Sequence, residues 1–181
     1  MKYQFNVKLN DQDYIKLNNF CMIKSHYGKK QMKSIRILFI SLFVALWIFS
    51  LVSGGFTKES FIGIIPTVIL CVLVLVFLSK IFMWMNKMHI KNLKRDGKMP
   101  YSASSVMEFY DDYFAESTPE NKTEQKYAAV ERISVVEGET IYIHINKLMA
   151  YILPVSCFNS KEQFESFVEF IKTKCENVDV Y

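Results

Sequence analysis

Apolar residues are concentrated in two long blocks of the sequence, at residues 35–56 and 61–85, and elsewhere they are mixed with polar residues. Residues 37–56 and 61–79 contain no charged side chain. A helix needs about 20 apolar residues to cross the hydrocarbon core of a bilayer, so each block predicts a transmembrane helix. The alternative is a buried hairpin in a soluble protein. It is disfavoured because a chain of 181 residues is too short to cover two such helices on all sides.

Basic residues before the first block and after the second predict the orientation of these helices. The connecting segment, residues 54–60, carries only Lys58, which is offset by Glu59. Because positive residues stay on the cytoplasmic side, we expect a multi-pass cell-membrane protein with both termini in the cytoplasm. Nine flanking basic residues are candidates for contact with anionic lipid head groups. They are Lys29, Lys30, Lys33, Arg36, Lys80, Lys87, Lys91, Lys94 and Arg95.

Small residues recur at helical spacing in both blocks. Gly63, Thr67 and Cys71 share one face of the second helix, and Ser41 and Ala45 share one face of the first. Small side chains let helix backbones approach closely in lipid, so we expect these two faces to pack against each other. The same faces could instead support homodimerisation.

The residues just outside the two blocks predict further structure. Strict alternation predicts a strand over residues 3–9, followed by a helix that is capped by Asn10 or Asp11. This helix is expected to end near Tyr27 at Gly28, or to continue into the first span. The second helix is expected to cover residues 60–96, so that it continues past the span as a basic helical stalk over residues 81–96 and ends at Gly97.

The segment after residue 100 predicts an α+β domain. Ser160 and Gln163 form a capping box for a closing helix with an apolar stripe at Phe164, Phe167, Val168 and Ile171. Short strands precede this helix, and the strand at residues 3–9 can join their sheet. The predicted strands cover residues 104–110, 113–117, 124–127, 134–137, 140–145 and 148–153.

The predicted organisation therefore has three parts. Residues 1–34 form a cytoplasmic strand and helix, and residues 35–98 form a transmembrane hairpin with spans at about 36–56 and 61–81. Residues 99–181 form a cytoplasmic domain. The fold class is an α+β membrane protein, with a two-helix hairpin and an antiparallel β-sheet domain closed by an amphipathic helix.

Residues that could carry chemistry are scattered along the chain. The three histidines His26, His89 and His144 have no metal-ligand spacing and are expected at the surface. Asp111-Asp112 predicts a turn between strands. The cysteines Cys21, Cys71, Cys157 and Cys175 show no CxxC pair and are expected to be free thiols. We therefore expect no enzyme activity and no cofactor or metal.

Three segments together carry a resemblance to a known family. They are the N-terminal FNVKLNDQDYIKLNNF, the two spans, and YAAVERISVVEGETIYIHINKLMAYILPVSCFNSKEQFESFVEFIK. The chain resembles the YcxB-like family of small bacterial membrane proteins. One departure is Tyr127, at a position where such sequences often carry a tryptophan. The resemblance implies a C-terminal domain with a pleckstrin-homology-like fold, and it implies no reaction and no functional residue.

Two functions are compatible with these features. The first is a membrane-anchored, non-enzymatic binding or scaffold module, with its sheet domain held at the inner face of the membrane. The alternative is an accessory subunit of a larger membrane or transporter complex that is engaged through the hairpin. The expected partners are the lipid bilayer and a protein, or a second copy of the chain. A net charge of +4, concentrated beside the spans, argues against a nucleic-acid partner.

Overall fold

A computed structural model describes residues 1–55, 57–58, 62–146 and 149–181. These residues form two compact units, residues 1–17 with 98–181 and residues 18–97. The helices are α1 Asp11–Asn19, α2 His26–Gly54, α3 Ile64–Arg95 and α4 Lys161–Lys172. The strands are β1 Tyr3–Lys8, β2 Ser104–Phe109, β3 Tyr113–Ser117, β4 Lys122–Lys126, β5 Arg132–Val136, β6 Thr140–His144, β7 Ala150–Pro154 and β8 Val178–Val180.

The first sheet of the α+β unit contains the N-terminal strand. Its order is β1-β2-β3-β4, and all its neighbours are antiparallel. Strand β1 pairs with β2, with Tyr3 opposite Phe109 and Val7 opposite Ser105. The prediction that the strand at residues 3–9 joins strands formed after residue 101 is therefore confirmed. Its alternation has the expected cause, because Phe5 and Val7 are buried while their neighbours are exposed.

A second sheet, in the order β7-β6-β5-β8, corrects the prediction of a single antiparallel sheet. Strand β8 is parallel to β5, with Val178 opposite Ile133, so this sheet is mixed. Strand β8 was not predicted, because three residues are too few to show a period-two pattern. The hairpin between β5 and β6 was predicted, and it turns at Gly138, whose φ of +69° is accessible to glycine at little steric cost.

Aromatic side chains of the first sheet and α4 pack with aliphatic side chains of the second sheet in the core of this unit. Phe5, Phe109, Phe114 and Phe167 are all fully buried. The Phe167 ring on α4 lies 5.0 Å from the Phe5 ring and 4.8 Å from the Phe109 ring. The predicted apolar stripe of α4 is confirmed, and so is its cap, since the Gln163 amide donates to the Ser160 hydroxyl at 3.2 Å.

The N-terminal helical region is interrupted earlier than the sequence suggested. Asn10 caps α1 by accepting from the Gln12 amide at 2.8 Å, as predicted. After α1, a π-helical turn covers Phe20–Lys24, and Ser25 then caps α2 by accepting from the Gly28 amide at 3.0 Å. Gly28 thus lies in the first turn of α2, so its prediction as a helix stop is wrong. A Cβ at Gly28 would lie 2.3 Å from the Cys21 carbonyl oxygen, and this close backbone approach explains the glycine.

Helices α2 and α3 are each long and apolar enough to cross a membrane. Only 6% of the most apolar window of either helix is buried within the protein. Helix α3 starts at Ile64 and is about 48 Å long at 1.5 Å per residue. Residues 60 and 61, where this helix was predicted to start, lie outside the described residues. Its end is confirmed, because Gly97 follows with a φ of +65°.

The two helices pack antiparallel through faces that match the prediction for only one of them. Gly63, Thr67 and Cys71 lie on the half-buried face of α3. Ser41 and Ala45, by contrast, are exposed, so the predicted small face of α2 is wrong. The covered positions of α2 at these depths are instead large residues: Phe43 and Trp47 are half-buried, and Leu51 is buried. Large side chains therefore occupy the covered face of α2, whereas small ones occur on the covered face of α3.

Candidate functional site

The basic residues predicted to contact lipid gather at one end of the helical hairpin. The Arg36 guanidinium donates to the Ser79 hydroxyl at 2.8 Å, which places the start of the apolar part of α2 beside the end of the apolar part of α3. Since the helices are antiparallel, residues 29–36 lie beside the second half of α3. The remaining candidate cations are exposed: Lys29, Lys30, Lys33, Lys80, Lys87, Lys91, Lys94 and Arg95.

Polar side chains join the helices at this basic end. The Asn86 amide donates to the Asn19 side-chain oxygen at 2.9 Å, and Asn86 is buried. Arg36 is half-buried, and its Nε is buried without a partner among the described residues. A guanidinium with an unused donor is suited to an anionic oxygen, because all its N–H groups are donors. Arg36 is thus the one member of the basic set that is not exposed.

A groove beside α4 is the second candidate. Its cavity volume is about 640 Å³. Phe164 and Val168 of α4 form one wall, and Val135 and the exposed Val180 form the other. Val180 belongs to β8, which was not predicted, so the sequence indicated the helix side of the groove and missed the strand side.

Strand β8 leaves one row of backbone groups open beside this groove. It stands at the end of its sheet. The backbone groups of Asn177 and Tyr181 face β5: the Ile133 amide donates to the Asn177 carbonyl at 2.8 Å and the Tyr181 amide to the Val135 carbonyl at 2.9 Å. By alternation, the amides and carbonyls of Val178 and Val180 point to the open edge. An extended peptide could add here as a further strand.

Charged residues on the rim of the groove leave one carboxylate without an ionic partner. On α4, Lys161 pairs with Glu165 at 3.5 Å and Lys172 with Glu169 at 2.8 Å. Across the groove, the side chain of Glu137 has no ion pair within the part of the chain that the structure describes. The rim therefore favours a cationic side chain next to an apolar one.

His144 corrects the prediction that all three histidines are surface residues. His26 and His89 are exposed, but His144 is only 1% exposed. Burial, with a contribution from the opposite Arg132, lowers the pKa of His144 to about 4. The prediction failed because β6 is buried on both faces: Tyr142, which lies on the same face as His144, is buried, and so are Ile141 and Ile143 on the other face. His144 is therefore a neutral side chain at pH 7.

The other candidates for chemistry have structural roles. Asp111 lies in the predicted turn and pairs with Lys2 at 2.7 Å and Lys174 at 3.6 Å. Its hydrogen bond to Lys2 lowers the pKa of the Asp111 carboxyl. The four cysteines are free thiols as predicted, and burial raises the pKa of both Cys157 and Cys175. No group of metal-ligating side chains occurs within the described segments.

Comparison with known families identifies part of the α+β unit. Residues 109–171 match the family described as YcxB-like protein. The match begins at the end of β2, includes β3 to β7, and ends inside α4, so it contains most of the groove but neither β8 nor the two long apolar helices. No curated protein and no solved structure matches the chain at a significant level.

Proposed function

We propose that the protein is a membrane-anchored, non-enzymatic binding module. The hairpin of α2 and α3 crosses the cell membrane twice with both termini in the cytoplasm, and it holds the α+β unit at the inner face. The unit, with a pleckstrin-homology-like fold, binds an extended segment of a partner protein in the groove beside α4. The observation that carries this proposal is an open strand edge at β8 next to an apolar groove.

Lipid is the first partner in this proposal. Large apolar side chains along α2 and α3 are exposed, including Phe49 at 70% and Val52 at 73%. A soluble protein rarely exposes an apolar surface of this extent. The basic residues at the opposite end of the hairpin from residues 54–64 would lie at anionic head groups, where each contributes about 1 kcal/mol of attraction.

The second partner is a peptide segment with an apolar residue next to a lysine or arginine. Its backbone would pair with the open amides and carbonyls of Val178 and Val180. Its apolar side chain would contact Val168, and its cation would pair with Glu137. Backbone pairing supplies affinity in such additions, while the pockets for alternate side chains supply specificity. A second copy of the chain is the alternative occupant.

A photo-crosslinking experiment in cell membranes tests the groove. A photoreactive residue replaces Val180 in the groove, or Ala128 on an exposed turn as the control position. We expect one dominant protein adduct from position 180 and none from position 128. Charge reversal in Glu137→Lys should abolish the adduct, and Glu131→Lys, at an exposed carboxylate outside the groove, should leave it intact. An adduct that survives Glu137→Lys contradicts the proposed cation.

The alternative function, an accessory subunit engaged through the hairpin, is favoured by the exposed small residues Ser41 and Ala45. Unlike their counterparts on α3, these residues are open to another transmembrane helix. A photoreactive residue at position 45 discriminates between the two functions. Adducts from position 45 alone support the subunit, and adducts from position 180 alone support the module.

The proposed topology is tested by labelling single cysteines in a variant without native ones. A membrane-impermeant maleimide should label Lys58→Cys in intact cells, because residue 58 lies in the outer connection. The reagent should label Lys98→Cys only after the membrane is permeabilised. The reverse pattern would invert the topology, and labelling of both sites in intact cells would exclude a membrane-crossing hairpin.

A further inference from the structure

A second cleft of the α+β unit lies on the side of Tyr151 and has a cavity volume of about 520 Å³. Glu116 and Gln125 of the first sheet and Tyr151 of the second line it. Tyr14 of α1 and the segment at Tyr101 close it from another side. Its volume falls in the range of small-molecule sites.

Glu116 is the unusual residue of this cleft. It follows Phe114 by two positions in β3, so its side chain lies on the face that carries the aromatic core. Glu116 is half-buried, and burial raises its pKa above the ordinary value although a hydrogen bond with the Ser105 side chain acts in the opposite direction. No lysine, arginine or histidine in the described parts of the chain forms an ion pair with it. A carboxylate that loses water without gaining a cation is costly, so a cationic ligand would offset that cost.

Aromatic rings and polar oxygens line the same cleft as this carboxylate. The Tyr14 and Tyr101 rings lie 5.4 Å apart, and the Tyr101 hydroxyl is oriented by donating to Asp11 at 2.8 Å. The Tyr151 ring packs edge-on against Phe114 at 5.2 Å, and its hydroxyl contacts Gln125. Aromatic faces attract cations, and the amide and hydroxyl oxygens can accept hydrogen bonds.

We propose that this cleft binds a small organic molecule carrying a primary ammonium group on an apolar or aromatic stem. Glu116 pairs with the ammonium, Gln125 and Tyr151 accept its remaining hydrogen bonds, and the stem lies among the tyrosine rings and Leu9. A primary ammonium fits better than a quaternary one, because it has three N–H donors for these oxygens. The site is separate from the groove beside α4 and does not depend on the proposed partner there.

Tyramine is a suitable probe, and tyrosol is its matched neutral analogue, with a hydroxyl in place of the ammonium. Binding is measured by calorimetry on the full chain in lipid nanodiscs, with protein-free nanodiscs as the blank. We expect tyramine to bind at least about tenfold more tightly than tyrosol, the factor for a charge-assisted hydrogen bond in a partly buried site. Equal binding of the two, or preferential binding of tetramethylammonium, would overturn the proposal.

The carboxylate is tested with the isosteric change Glu116→Gln. This variant should lose tyramine affinity by about tenfold or more and keep its weak tyrosol binding. Glu120→Gln, at an exposed carboxylate in the loop after β3, is the matched control and should bind tyramine as the native chain does. Unchanged tyramine binding by Glu116→Gln would exclude Glu116 as the partner of the ammonium.

A stability measurement keeps the proposal testable even if binding is weak. The Glu116 carboxylate, which has no ion pair in the described parts of the chain, should destabilise the ligand-free protein at neutral pH, so Glu116→Gln should raise the midpoint of thermal unfolding. Tyramine should raise the midpoint of the native chain and leave that of Glu116→Gln unchanged. A lower midpoint for Glu116→Gln in ligand-free protein would show that Glu116 is a structural group and would overturn the proposal.

Discussion

The two units of this protein use the same apolar residue types in opposite ways. In the α+β unit, Phe167 is fully buried and packs against the Phe5 and Phe109 rings of the first sheet. In the hairpin, Phe49 is 70% exposed, and most of the large side chains around it are exposed as well. The difference shows that hydrophobicity alone does not indicate where a side chain will be placed. The α+β unit buries its large apolar residues within protein, whereas the hairpin leaves most of them exposed.

The unfolding of each unit can be followed separately, because the two units carry different chromophores. Both tryptophans, Trp47 and Trp84, lie in the hairpin helices. Tryptophan fluorescence of the full chain in detergent micelles therefore reports on the hairpin. The α+β unit contains no tryptophan, and the tyrosine signal in near-ultraviolet circular dichroism reports mainly on its packing.

The largest effect should come from truncating one phenylalanine in each unit. Phe167→Ala should lower the free energy of unfolding of the α+β unit by about 3–5 kcal/mol, because it removes a ring from a close-packed core. Phe49→Ala should change the unfolding of the hairpin by less than about 0.5 kcal/mol, since the ring faces detergent both before and after unfolding. Chemical denaturation with the two optical probes measures both values. Similar losses would show that Phe49 is covered by protein.

A smaller effect should follow from the buried histidine of the α+β unit. Because burial lowers the pKa of His144 from 6.5 to about 4, the unfolded chain takes up a proton first as the pH falls. Stability is therefore present above about pH 6.5 and is lost towards pH 4, by on the order of 3 kcal/mol. His144→Gln should flatten this part of the pH profile of unfolding, whereas His89→Gln, at an exposed position, should leave it unchanged. Identical profiles for the native chain and His144→Gln would contradict the buried, neutral state.

The smallest effect distinguishes the two faces of the hairpin itself. Thr67 and Ser41 each donate a hydroxyl hydrogen bond to a carbonyl of their own helix, at 3.0 and 2.9 Å. Thr67 lies on the half-buried face of α3 and Ser41 on the exposed face of α2. Thr67→Leu should destabilise the hairpin by about 1–2 kcal/mol through overpacking, and Ser41→Leu should be neutral. Tryptophan fluorescence during unfolding in micelles measures the stability of both variants. A larger loss for Ser41→Leu than for Thr67→Leu would show that Ser41 lies in the helix contact, as the sequence predicted.

Local patterns predicted most of the elements correctly. Strand β1, the hairpin of β5 and β6, the cap at Ser160 and the end of α3 at Gly97 all follow from residues close together in sequence. The groove beside α4 follows from local patterns only in part. The α4 side of the groove follows from the apolar stripe of that helix, but the strand side depends on β8, which is ordered only by its pairing with β5.

The errors share one physical cause, because each depends on what lies opposite a residue. His144 was expected at the surface because alternation along β6 suggests one buried face, but both faces are covered. Ser41 was expected at the helix contact because it is small, yet the contact face of α2 carries large residues that complement the small ones of α3. Glu116 could not be singled out from the sequence, because a glutamate that faces a cleft has the same local pattern as one that faces solvent.

By itself, the sequence determined the two long apolar helices, the mixture of strands and a closing helix in the remainder, and the absence of metal-ligand spacing around its histidines. These properties depend on the length, period and spacing of residues along the chain. The tertiary structure decided the division into two sheets, the burial of His144, the groove beside α4 and the cleft at Glu116. They arise from contacts between residues far apart in sequence, and no local pattern records which distant side chain will lie opposite.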